Sequence, residues 1–177
     1  MTPGRERLVA LLLVAGGLAL LVLSLPMTWV TVPAALTGRP GPVSLSGLIV
    51  FEDGQLHTLL VGALLLGLWR WDSWRRTTVA VAVVLVSMVW LAQALERAVE
   101  AGNAAASADE GPQRLGLDGL EDREPLSRLA LADLPVTPWP WAAVGGSLVC
   151  ASGAVLVLVR SRRWEAAAPA GDGWWDS

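Results

Sequence analysis

No lysine and no tyrosine occur among the 177 residues, and cysteine, histidine and phenylalanine occur once each. Each shortage excludes a chemistry. One cysteine, Cys150, allows no intramolecular disulfide, and thiol–disulfide exchange by a resident cysteine pair is ruled out. Its place inside an apolar run predicts a small packing residue. One histidine, His57, cannot form a two-histidine zinc motif. The chain also lacks a phosphate-binding loop, a dinucleotide glycine fingerprint and a G-x-S-x-G elbow. No catalytic residue, cofactor or metal ligand set is therefore expected, and the chain reads as a non-enzyme. Nucleic acid is not an expected partner, because the arginines do not form a basic reading surface.

Charge is scarce as well. Only 16% of residues are charged and 54% are hydrophobic, whereas a soluble domain carries roughly 25% charged residues. All 13 basic residues are arginine, and isoleucine and asparagine occur once each. The missing types are those with AT-rich codons, which points to a GC-rich bacterium.

What remains is long apolar runs. The clearest lies between Trp139-Pro140-Trp141 and Arg160-Ser161-Arg162-Arg163-Trp164, with 18 uncharged residues from Ala142 to Val159. A helix of that length covers about 27 Å, close to the hydrocarbon thickness of a bilayer. Four spans are expected, at about 8–25, 54–71, 77–95 and 141–159, with outer loops at about 26–53 and 96–140. A cleaved signal peptide is the rival for the first span. Its apolar run is too long for that, and Pro26-Met27-Thr28-Trp29 is a poor cleavage site. The predicted fold is an all-α integral membrane protein, a four-transmembrane-helix bundle. Its long acidic outer loop would carry short β or surface-helix elements. Residues 1–165 form one membrane domain in this reading, and 166–177 a flexible cytoplasmic tail.

Charge sets the expected orientation. If the four spans alternate, one side holds Arg5, Arg7, Arg70, Arg75, Arg76, Arg160, Arg162 and Arg163 against five acids, a net +3. The other side holds five arginines against eleven acids, a net −6. The expected location is the bacterial plasma membrane, multi-pass, with both termini cytoplasmic. Tryptophan fits a headgroup belt. Trp29, Trp139 and Trp141 would mark the outer boundary, and Trp69, Trp71, Trp74 and Trp164 the inner one. Trp90 lies deeper. A tryptophan-lined ligand site is the sharper reading of the same enrichment.

No span carries Asp, Glu, Lys or Arg in its interior, which argues against an ion-coupled transporter. Small residues repeat instead. Ala142, Gly146, Cys150 and Ala154 form a four-residue row on the last span, a helix-packing face. It serves either the bundle itself or a partner protein or second copy of the chain. The lipid bilayer is the other expected partner. At the outer ends of spans two and three, Asp53, His57, Gln93 and Glu96 form a polar cluster if the two spans are neighbours. Ala101–Gly111 reads as a small polar loop. Leu126, Leu129, Ala130 and Leu134 have the spacing of a short surface helix. Val43-Ser44-Leu45-Ser46-Gly47 alternates as a strand does.

This layout resembles the tryptophan-associated transmembrane proteins of actinobacteria. The residues that carry the likeness are Leu25-Pro26 leading to Trp29-Val30, Val43–Gly47, Thr137-Pro138-Trp139-Pro140-Trp141, and the exit Arg160–Trp164. The tail departs from the family pattern, with Glu165 to Pro169 and Trp174-Trp175 and no tyrosine. The resemblance implies a small four-span protein encoded near tryptophan-biosynthesis genes, with no activity to carry over. The leading functional expectation is a non-enzymatic accessory or regulatory component acting through protein contacts. The alternative is a carrier or substrate-binding membrane subunit for an aromatic or indole-like compound, with Trp90 and Gln93 at its centre. A membrane enzyme would rest on Asp53, His57 and Glu96 alone.

Overall fold

The computed structural model describes residues 2–37, 40–51, 54–71, 73–107, 115, 127–128 and 130–166. The chain is predominantly helical. The first helix, α1 (Pro3–Ser24), places Pro3 where a missing N–H costs nothing, and it stops two residues before Pro26. A small cap follows: β1 (Thr28–Val32), α2 (Ala34–Thr37), β2 (Val43–Ser46) and α3 (Gly47–Val50). Then come α4 (Gly54–Arg70), α5 (Ser73–Val99), α6 (Ala101–Ser107) and α7 (Trp139–Ala166). The β2 strand falls where the alternation at Val43–Gly47 predicts one.

Three helical stretches are long and apolar enough to cross a membrane: Gly4–Ser24, Trp74–Val99 and Trp139–Ser161. With 17 residues, α4 covers about 26 Å. Its two ends match those of α1. Gly54 lies against the Leu25 side chain at one end, and at the other the Arg7 guanidinium donates to the Trp69 carbonyl at 2.9 Å. The four long helices close into a ring in the order α1, α7, α5, α4. The α7 helix makes the broadest packing, against α1 and α5, and α4 is held more lightly. Leu56, Leu59, Leu60 and Leu66 of α4 are exposed.

The α1–α7 seam is built on glycine. A Cβ on Gly17 would lie 2.5 Å from the Gly146 carbonyl oxygen, and one on Gly146 would lie 2.8 Å from the Gly17 carbonyl oxygen. One turn further, the Cys150 thiol donates to the Val14 carbonyl at 3.3 Å, and Gly153 abuts the Ala10 carbonyl. Lipid tails are as apolar as leucine, so such close backbone approach is what holds helices together in a membrane. The row Ala142, Gly146, Cys150 and Ala154 is thus occupied from within. Gly146 and Cys150 are spent on α1, Ala154 is buried in the core, and Ala142 is half-buried. Gly153, outside that row, belongs to the seam.

One end of the ring gathers arginines. Here the Trp164 indole donates to the Glu6 carboxylate at 3.2 Å, and Arg76 Nε donates to the Trp71 carbonyl at 2.9 Å. Trp69, Trp71 and Trp74 are exposed at this end, whereas Trp164 is buried. The opposite end is capped. β1 pairs antiparallel with β2, and Val30 also bridges to Val136, so β1 is the central strand. The register slips between Thr28 and Val30. That bulge turns two successive residues, Trp29 and Val30, into the core. The headgroup position expected for Trp29 is therefore wrong. Its ring is fully buried, and its N–H donates to the Ser24 carbonyl at 2.8 Å.

The cap explains the sequence elements that carry the resemblance. Gly47 seats against the Trp29 indole, and its N–H donates to the Met27 carbonyl at 3.1 Å. The Thr137 hydroxyl donates to the Thr28 carbonyl and accepts from the Trp139 N–H, which ties the start of α7 to β1. Two loop expectations need revision. Ala101–Ser107 is a helix, because alanine is the best helix former and small residues admit close packing; Ala101, Gly102, Ala104 and Ala105 are buried. Leu134 is buried in the cap core instead of lying on a membrane surface. Leu126 and Leu129, like the tail beyond Ala166, lie outside the described residues.

Candidate functional site

Beneath the cap, four aromatic rings from four different segments meet. Trp29 comes from β1, Phe51 from the end of α3, His57 from α4 and Trp90 from α5. The Phe51 ring lies 6.1 Å from Trp29, 5.7 Å from Trp90 and 6.1 Å from His57. His57 stacks on Trp90 at 6.1 Å and 25°. Centroid distances in this range are those of favourable aromatic pairs. Phe51 is the member that links the rest. Sequence reading did not single it out, although it is the only phenylalanine in the chain.

On the buried side of α5 three polar atoms have no hydrogen-bond partner: Ser87 Oγ, Trp90 Nε1 and Gln93 Oε1. Trp90 is fully buried and Ser87 is 1% exposed. The spacing of three residues makes them one strip. Each successive member lies about 4.5 Å further along the helix and about 60° around it. Leaving one buried polar group unsatisfied costs about 1–3 kcal/mol, so three on one strip is an unusual concentration.

Ser87 makes the strip more distinctive. Four other hydroxyls in the long helices turn back to their own backbone four residues earlier. Thr58 donates to Gly54 at 2.7 Å, Thr78 to Trp74 at 3.0 Å, Ser147 to Ala143 at 3.0 Å and Ser152 to Leu148 at 2.7 Å. That bond is open to any helical serine. Ser87 forgoes it.

The residues expected from sequence divide here. His57 and Gln93 are half-buried, His57 on Trp90 and Gln93 on the strip. Glu96, one turn beyond Gln93, is exposed and joins neither the ring cluster nor the strip. Asp53 lies outside the described residues. Among the described residues no three His, Cys, Asp or Glu side chains come together as a metal-binding group. The arrangement leaves three hydrogen-bonding atoms beside a packed group of aromatic rings. It presents a donor at Trp90, an acceptor at Gln93 and either at Ser87.

No curated protein and no solved structure matches the chain. The family model described as tryptophan-associated transmembrane protein matches residues 10–169, nearly the whole length. That span takes in α1 from Ala10, the cap, the strip on α5 and all of α7. The chain belongs to the tryptophan-associated transmembrane protein family.

Proposed function

We propose that the protein is a non-enzymatic, small-molecule-binding component of the bacterial plasma membrane, with the α5 strip and its aromatic wall as the binding site. The observation that carries this reading is the set of three buried, unpartnered polar atoms. A ligand of aromatic or indole type suits flat walls with isolated hydrogen-bonding groups, and the family's name supplies a second reason to test indole first. Saturable indole binding to the protein in lipid nanodiscs tests the proposal, and its absence contradicts it. For an accessory role through protein contacts the small-residue row offers little free surface, because Gly146 and Cys150 pack against α1.

The same proposal holds that α4 crosses the membrane as a fourth span and that both termini are cytoplasmic. Its support is the match between the ends of α4 and α1, together with the gathering of arginines at one end of the ring. A membrane-impermeant maleimide should label Ser107→Cys in intact cells, in a Cys150→Ser background. It should label Thr2→Cys and Arg70→Cys only after permeabilisation. Labelling of Arg70→Cys in intact cells would refute the fourth crossing.

A further inference from the structure

The hydrogen-bonding capacity of the strip specifies the ligand more narrowly than its apolar walls do. Trp90 Nε1 is a donor and cannot accept, so its partner must present an acceptor. Gln93 Oε1 accepts, so its partner must present a donor. Ser87 serves either, and its hydroxyl makes no bond to the α5 backbone. The His57 ring, from α4, stacks on the Trp90 ring at 6.1 Å, beside the strip. No Asp, Glu, Lys or Arg lies on α5 between Arg76 and Glu96, so α5 itself brings no counter-charge to the strip.

We infer that the strip takes a neutral, planar amide- or lactam-type ligand, one that donates and accepts within a single group. A pure hydrocarbon would leave all three atoms unsatisfied. An indole would satisfy Gln93 and leave Trp90 without an acceptor. A carboxylate would satisfy Trp90, bring an unpaired charge into an apolar bundle and offer Gln93 nothing. This inference rests on the reading of the strip as a ligand site.

Four bicyclic probes of closely similar size separate the terms. Naphthalene has no hydrogen-bonding group, indole only a donor, quinoline only an acceptor, and 2-quinolone both in one lactam. Binding is measured on the protein in nanodiscs, with empty nanodiscs subtracted. The expected order is 2-quinolone tightest, indole and quinoline intermediate, naphthalene weakest, with about tenfold between the ends or more. Gln93→Leu removes the acceptor and should erase the advantage of 2-quinolone over quinoline. Trp90→Phe removes the donor and should erase its advantage over indole. Gln93→Leu is the safer variant, since Gln93 is only half-buried.

Equal affinity for all four probes, unchanged by Gln93→Leu, would overturn the lactam inference while leaving a small-molecule site in place. Absence of saturable binding by any probe, including 2-quinolone, would overturn the site itself.

Discussion

Gly17→Ala is expected to destabilise the protein by about 2–3 kcal/mol, the cost of overpacking a filled interface. The new methyl would lie 2.5 Å from the Gly146 carbonyl oxygen and 2.7 Å from the Cys150 backbone nitrogen. Both are backbone atoms, so no side chain can swing aside. The α1 and α7 helices must separate along the seam that includes the Cys150–Val14 bond and the Gly153–Ala10 approach. The neighbouring glycine supplies the control. A Cβ on Gly16 meets nothing within 4 Å. Gly16→Ala is therefore expected to be neutral or stabilising by up to about 1 kcal/mol, because alanine is the better helix former. Unfolding of the purified protein in mixed micelles by graded addition of SDS gives both values. Equal effects of the two substitutions would show that the seam does not hold α1 to α7.

Trp29→Ala is the second large effect, about 3–5 kcal/mol by analogy with other buried tryptophans. The loss combines three contacts. The indole fills the space under the cap, touches Phe51 at 6.1 Å, and supplies the hydrogen bond to the Ser24 carbonyl. Gly47 has its α-carbon against that ring, so removal of the indole also frees the start of α3. Trp141, half exposed at the start of α7, serves as the contrast. Trp141→Ala should stay within about 0.5 kcal/mol, as surface substitutions do. Thermal unfolding followed by near-ultraviolet circular dichroism reads the cap separately from total helix content. Retention of the near-ultraviolet signal in Trp29→Ala would contradict the placement of Trp29 as the cap's central packing residue.

These two residues show where the sequence was legible and where it was not. The long apolar runs from Leu8, Thr77 and Trp141 announce helices, and the helices found extend a few residues beyond them. The row of small residues on the last span is visible as a pattern, but its occupant is not. The seam follows Gly146, Cys150 and Gly153, an i, i+4, i+7 line, so a strict four-residue repeat finds two of the three. Trp29 reads as a boundary tryptophan because its burial depends on a bulge, which depends in turn on the pairing of β1 with β2. Phe51 carries no periodic signal at all, since it sits in a turn between two helices.

The strip was partly legible. Gln93 and Trp90 stand out as a polar group and a deep tryptophan within an apolar span. Ser87 is equally visible as a residue, but its lack of a partner is not. A helical serine ordinarily bonds to its own backbone, as Ser147 and Ser152 do, whereas in the folded chain Ser87 does not. The sequence places His57 in a polar cluster with Asp53, Gln93 and Glu96. Its observed neighbours are the rings of Trp90 and Phe51, so its packing role comes from the α4–α5 contact and the cap together.

Binding of radiolabelled indole to the nanodisc-embedded protein tests the central claim most directly. The account predicts a saturable component above that of empty nanodiscs. It should weaken about tenfold in Gln93→Leu, where one hydrogen bond is lost. It should be unchanged in Glu96→Gln, one turn away and exposed. Uptake that rises linearly with indole concentration, matches empty nanodiscs and ignores both substitutions would contradict it.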